Sequence, residues 1–205
     1  MTLVAVPPSR VVRWVENFAS RHGPTEVRVE VGELTGWAAD GSHFIASLPF
    51  RTPYSGAPDV GAFASAAAPP PDWGVLLVRK GGFAVARLHG DQLVAHKVGQ
   101  RHVQGRSKAG GWSQQRFARR RSQQARVAYE AAADHAARLL DGLSGPVVTG
   151  GDKGALEEVL ADPRLRGLTV AGPRLGVPEP RRDVLDRAIA EATSVGIEVL
   201  NADEA

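Results

Sequence analysis

The stretch from Trp73 to Leu140 limits the possible folds of this chain more than any other part. Three apolar runs, Trp73–Arg79, Gly82–Leu88 and Gln92–Lys97, are separated by Lys80-Gly81 and by the turn at Gly90-Asp91. Connections that short join antiparallel neighbours, because a parallel return needs a crossover of a dozen residues or more. From Ser113 to Leu140 there is then neither Pro nor Gly. Phe117, Ala125, Ala128, Ala132, Ala136 and Leu139 fall on one stripe of that run. The spacing predicts a long helix with a small-residue face laid on a sheet. Arg121 lies near the stripe and has to snorkel or pair.

The last third changes rhythm. Pro146–Thr149 reads as a short buried strand, followed by Gly150-Gly151-Asp152-Lys153 and a helix to about Leu160. Leu168–Val170 is a further strand, Arg181–Thr193 a helix, and Ile197–Leu200 a final strand. Strands alternating with helices imply parallel pairing through crossovers. The expected fold class is α/β: a mixed sheet with an antiparallel meander followed by β-α units, roughly ribonuclease-H-like.

Upstream the signals are weaker. Val11, Val12, Val15 and Phe18 sit at helical spacing after Ser9, and Val27, Val29 and Val31 alternate as in a half-buried strand. A strand at His43–Leu48 is expected to pair with that one across Asp40-Gly41-Ser42. From Arg51 to Asp72 the chain is rich in Pro, Gly, Ala and Ser, which reads as an exposed loop or linker. The division expected from this is residues 1–70, of unassigned role and ending in the Pro-rich loop, and residues 71–205.

Charge is the second constraint. Between Asp91 and Glu130 lies a window of 38 residues without an acid, and Lys97–Arg126 holds nine of the 25 Lys and Arg residues. The other 16 face 22 acidic residues, so the formal +3 conceals one strongly positive segment. That is the footprint of a surface that meets phosphate. The candidates for gripping it are Arg101, Arg106, Lys108, Arg116, Arg119 and Arg120. The absence of Cys excludes disulfides and thiolate metal sites and fits a reducing cytoplasm. The N-terminus lacks a basic start, and no apolar run approaches the ~18–20 residues of a membrane span, so neither signal peptide nor membrane anchoring is expected. The six His residues show no ligand spacing, and no metal or cofactor is expected.

Three sites invite a chemical reading. Ser113 lacks the surroundings of a nucleophile elbow and reads as a helix N-cap. Gly150-Gly151-Asp152-Lys153 opens a helix after a strand but lacks the order of a phosphate-binding loop; it reads as a tight turn with Asp152 as the cap. Gly110-Gly111-Trp112-Ser113-Gln114-Gln115 is the strongest of the three. Its glycines permit close backbone approach, and a Gln amide orients water while its N–H donates to developing negative charge. From composition alone, a catalytic loop and a purely RNA-anchoring loop stand equal.

Gly110-Gly111 with a following Gln, and then Arg116-Phe117-Ala118-Arg119, resemble the Gly-Gly-Gln loop and helix start in the middle domain of eukaryotic and archaeal class-1 peptide-chain release factors. The resemblance is closer to the Vms-type release-factor-like peptidyl-tRNA hydrolases of ribosome quality control, especially their actinobacterial members. Their loop reads Gly-x-Ser-Gln, as Gly111-Trp112-Ser113-Gln114 does here. Arg101-His102-Val103-Gln104-Gly105-Arg106 and the Gly150–Lys153 segment are similar too, and the likeness spans roughly residues 73 to 200. Rigid alignment on Gly110-Gly111 places Trp112 where the release factors have Gln; alignment on Ser-Gln selects Gln114, with Gln115 the alternative.

The resemblance implies a release-factor middle-domain-like fold and hydrolysis of the peptide–tRNA ester on the large ribosomal subunit. Gln114 or Gln115 would be catalytic on a loop formed by Gly110, Gly111, Trp112 and Ser113. It further implies a monomer acting on stalled or split large subunits, since a codon-reading module has little room here. The alternative is a non-catalytic ribosomal RNA-binding factor that uses the same loop as an anchor.

Overall fold

The computed structural model describes residues 2–100 and 112–202, with side chains described for 2–100 and 125–202. The chain divides into two compact units, residues 1–69 with 190–205, and residues 70–189.

In the first unit, β1 (Thr2–Val6) leads through a 3-10 turn into α1 (Val11–His22). β2 (Thr25–Glu30), β3 (Glu33–Ala38) and β4 (His43–Ser47) follow, then α2 (Val60–Ala66). The last strand of the chain, β10 (Val195–Leu200), completes an antiparallel sheet of order β1-β10-β4-β3-β2. The periodicity of α1 has its expected result: Val11, Val15 and Phe18 are buried with Leu34, Phe44, Ala46, Val195 and Ile197. Phe18 and Trp14 each meet the Phe44 ring edge-on, at 5.2 and 5.4 Å. Gly36 lies opposite Phe44 across the strands, and a Cβ there would come within 2.2 Å of that ring. The glycine therefore makes room for the aromatic that fills the core.

Three expectations are corrected in this unit. The strand at 43–47 pairs with β3, a strand not anticipated from the sequence, and β3 in turn pairs with β2. Asp40-Gly41-Ser42 turns β3 into β4, while Val31-Gly32 makes the tight β2–β3 hairpin with φ of 51° and 80°. Two positive φ values belong to a two-residue primed turn, which ordinarily takes Asn-Gly; Val at the first position hid it. The Pro- and Ala-rich segment after Arg51 is not a simple linker. Tyr54 and Phe63 are buried and meet edge to face at 5.0 Å, and Asp59 caps α2 by accepting the Ala62 N–H at 2.7 Å. Two aromatic anchors, each worth ~1.5–3 kcal/mol of burial, fold a segment whose composition alone suggested exposure. Finally, β10 does not continue the parallel series after β8. It lies antiparallel between β1 and β4, so residues 190–205 belong with the first unit and not with 71–189. Alternation of strand and helix does not say to which sheet the next strand returns.

In the second unit, β5 (Trp73–Arg79), β6 (Gly82–His89) and β7 (Gln92–Gln100) form the antiparallel meander. α3 (Trp112–Leu139) then crosses to β8 (Pro146–Gly151), which runs parallel to β5. α4 (Lys153–Leu160) leads to the two-residue edge strand β9 (Thr169–Val170), parallel to β8, and α5 (Arg182–Ala192), which belongs to this unit as far as Ile189, follows. The order β7-β6-β5-β8-β9 is the mixed α/β sheet expected from the sequence. Leu76, Val78, Phe83 and Val85 of the sheet share a core with Ala132 and Ala136 of α3, with Leu140 just beyond its end, and with Leu156 and Val159 of α4. Buried Trp73 donates its indole N–H to the Gly90 carbonyl at 2.7 Å, so no polar group is lost in burying it.

Val31 is fully exposed and β-branched at φ 51°, where a side chain costs ~1–2 kcal/mol. Val31→Asn removes no buried contact, so urea unfolding is expected to show a gain of ~1 kcal/mol. A loss would contradict this account of the turn.

Candidate functional site

The long helix connects the basic window to the core. Ala128, Tyr129, Ala132, Ala133, Ala136 and Leu140 are buried, with Ala132 and Ala136 at 0% exposure. Small side chains at i and i+4 bring the helix axis close to the sheet, and α3 packs mainly on β6. Tyr129 and Ala133 belong to this face although the sequence stripe omitted them.

Three further contacts hold the C-terminal half of α3. Arg87, a charged residue inside the otherwise apolar β6, grips Asp72 through Nε and Nη2, both at 3.0 Å. Its Nη1 donates to the Asp141 carbonyl just beyond the helix at 2.7 Å, and Asp72 also accepts the Ser144 N–H at 3.0 Å. Farther up the helix, Arg164 bridges Asp134 and Asp162, both at 2.7 Å; Arg164 holds the Asp162 carboxyl down at about 2. His135 stacks on Phe83 at 5.4 Å, and burial, with Arg138 and Lys97 nearby, lowers its pKa. Phe83 in turn covers Gly99 of β7, where a Cβ would come within 2.3 Å of the ring.

At its other end, α3 begins at Trp112, so Ser113 stands inside the first turn and is not the N-cap. Trp112, Ser113, Gln114 and Gln115 all have helical backbone there. The first turn of a helix has N–H groups with no intrahelical partner and carries the positive end of the helix dipole. With a rise of 1.5 Å per residue, Gln114 lies about 16 Å along the axis from Ala125. Arg101, Arg106, Lys108, Gly110 and Gly111 lie outside the described residues, as do the side chains of Trp112, Ser113, Gln114, Gln115, Arg116, Phe117, Arg119, Arg120 and Arg121. The described flanks of the window are the exposed Lys97 on β7 and Arg126, which pairs with Glu130 at 3.3 Å.

Gly150-Gly151-Asp152-Lys153 is a structural turn. The Gly151 N–H bonds to the Leu175 carbonyl at 3.0 Å and the Asp152 N–H to the Val78 carbonyl at 2.9 Å, so neither is left for a phosphate. Gly151 has φ 103°, and a Cβ there would lie 2.1 Å from the Val78 carbonyl oxygen. Asp152 stands at the N-cap position of α4, yet its side chain makes no cap bond; it faces Arg79 at 3.4 Å instead. Beside it, Glu179 packs against Gly81 and Gly82, and burial raises its carboxyl pKa. Neither Glu179 nor the Asp72–Arg87 pair was singled out from the sequence, although Arg87 within an apolar strand was a visible signal.

Among the described residues there is no group of three or more His, Cys, Asp or Glu able to hold a metal ion, and no helix is long and apolar enough to cross a membrane. An antiparallel meander, a long crossover helix opening in a cationic Gly-Gly segment, and two parallel strands together define a release-factor-like α/β domain. The family model that matches, over residues 71–198, is described as the Actinobacteria/chloroflexi VLRF1 release factor. The chain belongs to that family. No curated protein matches it.

Asp72 supplies the test of how α3 is anchored. Bonding to Arg87, and then to the Ser144 N–H, lowers its pKa in the folded state. A depressed carboxylate contributes stability above its unfolded pKa of about 3.9 and loses it as pH falls through the folded value. Asp72→Asn is expected to cost ~1–3 kcal/mol at neutral pH in urea unfolding. The difference from the unmodified protein should shrink on acidification below about pH 3.9; a constant difference would show that the charge is not responsible.

Proposed function

We propose that this protein hydrolyses the ester between a nascent peptide and tRNA on stalled large ribosomal subunits, acting in the cytoplasm. The observation carrying this reading is that Gln114 and Gln115 occupy the first turn of α3, inside the 38-residue window without acids. Membership in a release-factor family supports the same direction.

The cations of the window, with Arg101, Arg106, Lys108, Arg116, Arg119 and Arg120 the chief candidates, neutralise RNA phosphates around the tRNA terminus. The Gln114 amide, or its neighbour Gln115, positions a water against the ester carbonyl carbon. Attack forms a tetrahedral oxyanion, stabilised by first-turn N–H groups at the positive helix end. Collapse breaks the bond to the tRNA ribose oxygen, which takes a proton and leaves as a hydroxyl, while the peptide leaves as a carboxylic acid. No step uses a charged base, which accords with a window that contains none. Residues 70–189 form the catalytic module in this reading.

The deciding experiment adds purified protein to large subunits that carry radiolabelled peptidyl-tRNA. Free peptide with intact tRNA is expected, whereas an RNA-binding anchor releases none. Replacing the acting Gln with Ala is expected to slow release by a factor on the order of 10²–10³ while binding persists. If the backbone N–H is the operative donor, Ala at that position is mild and Pro severe. Unchanged release by both Gln114 and Gln115 variants would remove the mechanism.

Binding itself should weaken steeply with salt. Each single-stranded phosphate neutralised contributes about −0.7 to the log–log slope. Arg119→Gln and Arg120→Gln should each flatten that slope by roughly one such increment; a slope that does not change would place the RNA contact elsewhere.

A further inference from the structure

The first unit carries a pocket that the release reaction leaves unused. It has a volume of about 320 Å³ and lies between α1 and the β1–β10 edge of the sheet. Its walls include Trp14, Asn17, Phe18, Arg21, His22 and Asn201. A volume of that order suits a small planar ligand.

The pocket is built around flat rings. Trp14, Phe18 and His22 recur every four residues on α1 and therefore share one face of the helix. The Trp14 and Phe18 rings lie nearly parallel, 13° apart with centroids at 5.7 Å, and the His22 ring is 4.6 Å beyond Phe18. Contact with Phe44 holds the first two rings in place. His22 is fixed from its other side: Nδ1 donates to Asp40 Oδ2 at 2.9 Å, and the second Asp40 oxygen accepts the Ser42 N–H at 2.8 Å.

The polar groups at the mouth complete the pattern. Asn17 and Asn201 each offer a donor and an acceptor on one carboxamide, and Arg21 adds an exposed guanidinium. Among the described residues no carboxylate lines the pocket, and an acyl chain would have no use for two amides and a guanidinium. Stacking surfaces, paired amides and a nearby cation are together the features by which proteins hold unstacked bases.

We propose that this pocket takes one unpaired nucleobase, from an RNA strand or a free nucleotide. The base stacks along the ring ladder, its polar edge is read by Asn17 and Asn201, and Arg21 meets the attached phosphate. The first unit is then a nucleotide-binding module, independent of whether the second unit releases peptide.

The test titrates the full chain with AMP, GMP, CMP and UMP, and photocrosslinks it to short single-stranded RNA containing thiouridine. High salt suppresses the contribution of the basic window, whereas a mononucleotide releases few counterions. At least one mononucleotide is expected to saturate, with crosslinks mapping to α1. Asn17→Ala combined with Asn201→Ala should weaken that nucleotide about tenfold. Both residues lie outside the buried core, so the comparison does not depend on a packing defect. Trp14→Leu should weaken binding further, ~10–100-fold if one stacking platform is lost. Saturation by a mononucleotide without RNA crosslinks at α1 supports the site and assigns it to a free nucleotide. The proposal is overturned if no mononucleotide binds or if the double Asn variant binds unchanged.

Discussion

The close approach of α3 to its sheet is the interaction on which the second unit depends. Ala128, Ala132, Ala133 and Ala136 contribute little hydrophobic area each, but they let a helix of 28 residues lie against β6 without holding it off. Leu140 and Tyr129 then supply the larger contacts, and Arg87 with Asp72 secures the turn that follows. A helix fixed from Ala125 onward has only one rigid direction in which to carry its first turn. The backbone of Gln114 and Gln115 is thereby set relative to the core by helix geometry.

This arrangement explains why a fold without metal-ligating clusters among its described residues suits the chemistry proposed for it. Water, oriented by a neutral amide and assisted by the positive end of a helix, needs no strongly perturbed acid or base. It does need placement, and placement is what the alanine face and the Asp72–Arg87–Ser144 network supply. The turn at Gly150-Gly151 has a corresponding structural task. Its N–H groups close β8 against Leu175 and β5, so what resembles a phosphate loop in sequence is the paired end of an inner strand in space.

Much of the second unit was legible in the sequence because its signals are local. Two-residue turns announced the meander, and the absence of Pro and Gly announced α3. The first unit was harder. Val31 disguised a hairpin turn, small residues disguised α2, and β3 contains Gly36 and Trp37 where regular apolar alternation was sought. The return of β10 to the first sheet was not readable at all, since its Val195 and Ile197 would suit either sheet. The motif that identifies the family was legible by residue type. Its placement at the helix start, with Ser113 inside the first turn, required the backbone. The aromatic pocket of the first unit was hidden for another reason: Trp14, Phe18 and His22 read as a helix face, while Asn201 comes from the far end of the chain.

The central claim is that α3 presents its first turn to the peptide–tRNA ester. The most direct measurement is a cryo-electron microscopy structure of this protein on a large subunit carrying uncleaved peptidyl-tRNA. The account predicts the Gln114 or Gln115 amide within hydrogen-bond reach of a water beside the ester carbonyl, with the surrounding cations on RNA phosphates. A bound complex whose first turn of α3 lies away from the tRNA terminus, or faces protein alone, would contradict it.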